Sequence, residues 1–395
     1  MKITGLETFV VGNPPPHFGG RYFIFLKLVT DDGVEGIGEV YAATFGPHVV
    51  TRMIEDVCAR HVIGADPFHV ERLWRDVYGQ GYSGRPDISL VGVLSGIEMA
   101  CWDIVGKSVD KPVYELLGGR VHDRLRAYTY LYREPGDATD VYLDPALAAE
   151  RAAGYAERGF TALKFDPAGH YTTFDPRQPG LDELDRCEDY VRAVREAVGN
   201  RCDLLFGTHG QFTPSGAIRL AKRLEPFSPL WFEEPTPPEL PEEMARVARA
   251  TTIPVATGER LTTKYEFSRV LATGAASILQ LNLGRVGGLL EAKKIAALAE
   301  VHYAQIAPHL YCGPVVGAAN IQLSACSPNF LLLEGILDWG GFHAEILKRP
   351  IQWEDGYVIP PTAPGLGVEL NEAVARANPY TGAELHLEPS ESPII

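Results

Sequence analysis

The sequence predicts an α/β protein in two parts, a barrel of eight parallel strands alternating with helices and a smaller α+β unit before it. Two observations carry this. From about Leu125 onward, short apolar runs alternate with amphipathic helical stretches, a texture that demands a parallel sheet with right-handed crossovers. Eight such runs favour a closed barrel over an open doubly wound sheet. Before Leu125 the pattern is different: alternating strands with hairpin turn chemistry, then helices.

In the first part, Ile3 to Val11 and Tyr22 to Thr30 read as strands. Asp31-Asp32-Gly33 supplies a hairpin turn, and Val34 to Val40 returns. The Pro-rich stretch Asn13 to Arg21 between the first two strands is a loop by composition. Helical patterns run from about Val49 to Tyr78 and from Ile88 to Gly106, the second apolar enough to be buried, and Leu116-Leu117-Gly118-Gly119 closes the unit.

The barrel strands are read at Leu125 to Tyr130, Ala162 to Asp166, Asp203 to Thr208, Leu230 to Glu234, Pro254 to Gly258, Ser277 to Asn282, Gln305 to His309 and Phe330 to Glu334. Helices are read between them, from Pro145 to Arg158 through to Pro314 to Ser327. The boundaries follow as residues 1–124, 125–334 and a C-terminal segment 335–395, whose loops and short strands are expected to pack back on the first unit.

Composition narrows the function. A chain of 395 residues with 46% apolar and 22% charged residues has the make-up of a globular enzyme. Its net charge of −15, with no basic patch, argues against nucleic acid as a partner. No apolar run is read as long enough to span a bilayer. Six scattered cysteines without Cys-x-x-Cys spacing read as reduced, buried thiols of a cytoplasmic protein.

Residues at the carboxyl ends of barrel strands face one shared mouth. Read in order, these are Lys164 and Asp166, Gly207 and His209, Glu233, Glu259, Asn282, His309 and Glu334. Lys164 and Asp166 alternate along a strand, so both can face one cavity. Glu233 and Glu259 offer matched carboxylates of the kind that hard cations such as Mg²⁺ take as ligands. The chemistry such a set allows is proton abstraction beside a carboxylate, with a metal on Glu233 and Glu259 and the charge of Lys164 stabilising the enediolate. His309 or Lys164 would be the base, and a second acid could expel a β-hydroxyl.

In this order the motifs are distinctive: Gly36-Ile37-Gly38-Glu39, Ser95 to Lys107 with Trp102-Asp103, Leu163-Lys164-Phe165-Asp166, Trp231 to Pro235, Thr257-Gly258-Glu259-Arg260, Gly284 to Gly288 and Ala307-Pro308-His309. With them the chain resembles the enolase superfamily, mandelate racemase subgroup, and within it the galactonate- and mannonate-type sugar-acid dehydratases. The resemblance implies an N-terminal α+β capping domain over a (β/α)7β TIM-like barrel, Mg²⁺ at the mouth, an acid-sugar substrate and a homo-oligomer. It implies that the loop with His17 and Arg21 closes over the substrate. It also makes the loops around His17 to Arg21 and Tyr41 to Phe45 the seat of substrate choice.

Three positions depart from the family pattern. Where the family has an Asp metal ligand in Asp-x-His-Gly-Arg, this chain has Gly207-Thr208-His209-Gly210-Gln211. His209 matches the dehydratase histidine that helps expel the hydroxyl, and an imidazole can instead serve as a third ligand. Asn282 stands where an Asp pairs with the catalytic histidine; its oxygen is expected to accept from the His309 ring and fix the tautomer. Asp166 replaces the second Lys of the racemases, so dehydration is favoured, with Lys164, His209 and His309 handling protons and Glu334 bonding the bound carboxylate or intermediate. An epimerase or cycloisomerase on a related acid, or a barrel that only binds one, stays open.

Overall fold

A computed structural model describes residues 1–41, 44–82, 84–169 and 178–387. Ala42 and Ala43, in the loop from Tyr41 to Phe45 assigned to substrate choice, lie outside the described residues. Strands β1 (Ile3–Gly12), β2 (Tyr22–Thr30) and β3 (Glu35–Val40) form an antiparallel sheet in that order. Helices α1 (Pro47–Val57), α2 (Val70–Tyr78), α3 (Ile88–Ser108) and α4 (Val113–Leu116) complete the unit. The helical run expected from Val49 to Tyr78 is broken. After a π-turn at Cys58–Val62, Gly64 takes φ 87°, and Pro67 follows before α2 begins.

The motif Gly36-Ile37-Gly38-Glu39 has a packing cause. A Cβ at Gly36 would sit 2.1 Å from Ala100 O, and one at Gly38 would sit 1.9 Å from Gly96 O. Strand β3 therefore lies directly on the backbone of α3, which only glycine permits. Helix α3 also corrects a reading: it is long and apolar enough to cross a membrane, yet 83% of its apolar window is buried inside the protein. It is the core helix of the cap.

The barrel strands are β4 (Leu125–Tyr130), β5 (Ala162–Phe165), β6 (Asp203–Phe206), β7 (Trp231–Glu233), β8 (Val255–Thr257), β9 (Ile278–Leu279), β10 (Gln305–Ile306) and β11 (Leu333–Glu334). Between them lie α5 (Pro145–Glu157), α6 (Leu181–Val198), α7 (Pro214–Leu224), α8 (Pro241–Ala248), α9 (Thr263–Thr273), α10 (Leu289–Val301) and α11 (Pro314–Ala325). The starts of α5 and α7 follow Asp144-Pro145 and Thr213-Pro214, where the capping oxygen accepts a first-turn N–H and proline needs no acceptor.

A parallel ladder runs unbroken from β4 to β10, and β11 pairs with β4. Between β10 and β11 the ring is joined by isolated bonds, such as Leu331 N to Ile306 O at 2.9 Å, and not by a continuous register. The fold is that of a TIM-like barrel with an N-terminal α+β cap. Several strands are shorter than expected, because the chain leaves regular pairing as it turns its last side chains into the mouth. Single bonds carry the direction onward: Ala307 N to Leu279 O at 2.9 Å and His309 N to Leu281 O at 3.1 Å.

The C-terminal segment adds α12 (Phe342–Glu345), β12 (Trp353–Glu354), β13 (Tyr357–Val358) and α13 (Glu372–Ala377). Strand β13 pairs with β4 of the barrel, whereas Tyr380 N bonds Val10 O and Gly12 N bonds Asn378 O in the cap. All six cysteines are free and buried.

Buried carboxylates of the cap hold barrel helices by their N-termini. Glu39 accepts from Gly313, Val315 and Val316 N–H at the start of α11, at 2.5–3.1 Å. Glu98 on α3 accepts from Leu289 and Leu290 N–H at the start of α10, and from Trp102 Nε1. Each supplies the negative charge that a helix N-terminus favours. Burial nevertheless pushes the Glu39 carboxyl up to about 7, and Glu98 likewise to about 7, against the pull of those N–H groups.

The folded state therefore binds these protons more tightly than the unfolded chain does. Stability should fall as pH rises from the ordinary carboxylate range through about 7, by about 3 kcal/mol per group. Glu39→Gln is expected to remove part of that slope in melts between pH 5 and 8; an unchanged slope would contradict the assignment.

Candidate active site

The mouth of the barrel is built around Lys164. It is 1% exposed, and its ammonium donates to Glu233 Oε1 at 2.8 Å and Glu334 Oε1 at 3.3 Å. Burial alone would push this lysine down, but the carboxylates of Glu233, Glu334 and Glu259 outweigh it and hold it above the ordinary lysine range.

Gly207 explains how the side chain reaches its place. A Cβ at position 207 would lie 2.6 Å from Lys164 Cε and 3.1 Å from the Tyr130 ring. Lys164 occupies the space that any side chain at the end of β6 would need. The missing aspartate and the position of the lysine are one feature.

Glu233, Glu259 and His209 converge. Each offers one ligand atom, and these atoms lie within 4.8 Å of one another. Glu233 Oε2 is buried without a hydrogen bond. Burial, with the neighbouring Glu259 adding to it, holds the Glu233 carboxyl above the ordinary range. Glu259 sits below it: burial opposes this, and the nearby His309, His209, Lys164 and Arg260 prevail. Two carboxylates and an imidazole, with a buried oxygen left without a donor, form a donor set suited to a divalent cation.

His209 is held by its backbone: its N–H donates to Gln211 Oε1 at 2.9 Å and its carbonyl accepts from Arg260 Nη2 at 2.9 Å. Arg260 is anchored in turn by the buried Glu234 at 2.7 Å. Burial pushes the His209 ring down to about 4, so it stands neutral, as a metal ligand must. Glu234 and Arg260 were visible inside the quoted motifs, but nothing in the sequence tied them to His209.

His309 lies with Nε2 3.1 Å from Glu259 Oε2 and 4.0 Å from Glu334 Oε2. Burial lowers its pKa despite those carboxylates. Glu334 stands between the two proton-handling candidates, since it also accepts Lys164 and, through Oε2, Leu310 N–H at 2.9 Å. Asn282 corrects an expectation. Its oxygen does not accept from the ring; it accepts Gly284 N–H at 2.8 Å, and the amide nitrogen faces His309 Nδ1 at 2.9 Å. The backbone turn after β9 takes the oxygen first.

The remaining candidates stand apart from the carboxylate cluster. Asp166 turns to its own loop, accepting from Ala168 N–H at 2.8 Å and Gln211 Nε2 at 3.2 Å, and burial raises it to about 7. His17 bonds Asn13 O at 2.6 Å within its own loop. Arg21 is placed near Glu384 and Tyr380 of the C-terminal segment.

The loop meets the barrel through Phe18, whose ring lies 4.4 Å from that of Tyr132. Phe18, Tyr132, Tyr142 and Tyr311 line a cleft of about 420 Å³ at this rim. These aromatics were not singled out in the sequence, because isolated tyrosines after strands look like ordinary packing.

Comparison with known proteins bears on this geometry. Residues 147–374 match the enolase C-terminal domain-like family, and residues 18–118 match the mandelate racemase / muconate lactonizing enzyme N-terminal domain. The chain belongs to the enolase superfamily, in its mandelate racemase subgroup. It is 36% identical to the D-galactonate dehydratase of Ralstonia pickettii over 388 residues, covering 95% of this chain and 93% of that protein. It is 34% identical to the D-xylonate dehydratase of Haloferax volcanii over 390 residues, covering 97% and 90%. Among solved structures, a protein assigned to the mandelate racemase/muconate lactonizing enzyme family from Labrenzia alexandrii DFL-11 is 66% identical, with a TM-score of 0.97 over 100% of both chains. With dehydratases as its curated relatives, this member of the superfamily stands among the hydro-lyases.

Proposed function

We propose that this protein is a Mg²⁺-dependent hydro-lyase that removes the proton next to the carboxylate of a sugar acid and eliminates the β-hydroxyl, giving a 2-keto-3-deoxy acid. The observation that carries the reading is the convergence of His209, Glu233 and Glu259 beside Lys164. Those three residues would hold the cation, His209 serving as the third ligand where Gly207 has no side chain. When bound there, Mg²⁺ supplies positive charge for the substrate carboxylate and for the charge that develops on it.

The other roles belong to the chain. Lys164 and His309 flank Glu334 and are the groups placed to manage the α-proton. Engagement of Glu233 and Glu259 as ligands weakens the pull that keeps Lys164 charged, which is the condition for it to act as base. The cap loop with Phe18, joined by the tyrosines of the rim, keeps water from the site. The sugar-acid class rests on the named relatives, at about one third identity. Six buried free thiols agree with work in the reducing cytoplasm.

Metal uptake and turnover test the reading together. Wild-type protein is expected to take up one Mg²⁺ or Mn²⁺, Glu233→Gln and Glu259→Gln to lose it, and His209→Ala to bind it more weakly. A panel of sugar acids should then yield a 2-keto-3-deoxy product with one member. Solvent deuterium entering the α-carbon without loss of water would shift the reading to an epimerase. Metal uptake unchanged in both glutamate variants would sink it.

A further inference from the structure

We infer that Asn282 fixes His309 as the Nε2–H tautomer, so that this histidine faces the site as a neutral hydrogen-bond donor and not as the base. The inference deepens the hydro-lyase reading and rests on it for its catalytic meaning, though the tautomer itself does not.

The argument begins with a group whose role is fixed. Gly284 N–H can only donate, and it lies 2.8 Å from Asn282 Oδ1, so the oxygen end of this amide is settled by its partner. The nitrogen end must then point the other way. It lies 2.9 Å from His309 Nδ1 and 3.4 Å from His309 O. An amide NH₂ only donates, so Nδ1 must present its lone pair. A neutral imidazole that accepts at Nδ1 carries its hydrogen on Nε2. Glu259 Oε2 at 3.1 Å and Glu334 Oε2 at 4.0 Å are the carboxylate oxygens beside that nitrogen, and His309 Nε2 makes no hydrogen bond to either, so its hydrogen is left for a bound molecule.

The arrangement has little room to turn over. Asn282 and His309 are buried, and the Tyr41 ring lies nearly parallel to the imidazole at 6.2 Å. The His309 carbonyl is held by Asn320 Nδ2 at 3.0 Å. Exchanging the two ends of the amide would set NH₂ against Gly284 N–H, two donors face to face. A protonated ring would set Nδ1–H against the amide NH₂, the same conflict. An aspartate at 282 would reverse the polarity, accepting from Nδ1–H and leaving the Nε2 lone pair free to take a proton.

The consequence for the reaction is a division of labour. With its hydrogen on Nε2, His309 has no lone pair there to receive the α-proton. Giving that hydrogen up would leave an imidazolate, so it is shared as a hydrogen bond to a substrate oxygen and not transferred. Neutral histidines serve as electrophiles of this kind in other enzymes. The α-proton then falls to Lys164, and Asn282 is a positioning residue that acts through His309.

Nitrogen NMR of the full-length protein labelled with ¹⁵N-histidine, with and without Mg²⁺, tests this directly. The His309 signals are assigned by their loss in His309→Gln. In the wild type Nδ1 is expected to be a pyridine-type nitrogen and Nε2 a pyrrole-type N–H; in Asn282→Asp the proton is expected to move to Nδ1. A wild-type ring protonated on Nδ1, or the same tautomer in both proteins, would overturn the inference. The readout does not depend on turnover. The expected tautomers with no sugar acid converted would support this inference while counting against the hydro-lyase reading.

Discussion

Replacing Gly207 with aspartate is expected to lower kcat/KM by about 100-fold, although it brings the chain nearer to its family's pattern at that position. The reason is local. A Cβ at 207 meets Lys164 Cε at 2.6 Å and Cγ at 3.0 Å, closer than carbon atoms approach without something moving. The backbone of β6 is fixed by its ladder to β5 and β7, so Lys164 must give way. It then leaves Glu233 and Glu334, and a displacement of about 1 Å in a reacting group is enough for a loss of this size.

The new carboxylate also joins Glu233, Glu259 and Glu334 just as the ammonium that balances them is pushed aside. The measurement is steady-state kinetics with the sugar acid that the panel identifies, alongside bound metal. In a Lys164→Met background the same substitution should do much less further harm, because the side chain it displaces no longer works. Equal or higher turnover in Gly207→Asp would show that Lys164 does not need its present position.

Much of this site was legible in the sequence, and the parts that were not share one character. Strand ends can be read because a short apolar run followed by a charged residue fixes both the element and the rim on which its last side chain stands. Lys164, Glu233, Glu259, His309 and Glu334 were read this way, and the structure brings them together. What the pattern cannot carry is direction within the mouth. Asp166 sits on the same strand end as Lys164, yet its carboxylate is taken by Ala168 N–H and Gln211. The Asn282 oxygen was expected on the imidazole, but a backbone N–H two residues on competes for it and wins. Such outcomes depend on turns whose φ and ψ no periodicity encodes.

The same holds for the cap. Gly36 and Gly38 could be seen as a motif, but their cause is the backbone of α3 lying against them from a distant part of the chain. Helix α3 was read as buried by its composition, and the apolar length that passes for a membrane span belongs to a helix 83% of whose apolar window is buried inside the protein.

Lys164→Met should cut turnover by 10²- to 10⁴-fold, the range expected for loss of a group that moves a proton, and should also reveal what the buried acids require. In the wild type one ammonium, 1% exposed, balances Glu233 and Glu334 within 3.3 Å. Methionine keeps most of the volume and removes the charge, leaving carboxylates that are expensive to bury unpaired. Breaking a buried pair in this way costs about 3–5 kcal/mol. Without divalent metal the variant should therefore melt well below the wild type.

With saturating Mg²⁺ the outcome should differ, because a cation on Glu233 and Glu259 binds the folded state alone and replaces part of the missing charge. The gap in melting temperature between variant and wild type is then expected to narrow, while turnover stays lost. Narrowing without recovery of activity separates the two duties of Lys164, holding the acids together and handling the proton. A gap that is the same with and without Mg²⁺ would mean that the ion does not reach these carboxylates, and the proposed metal site would fall with it.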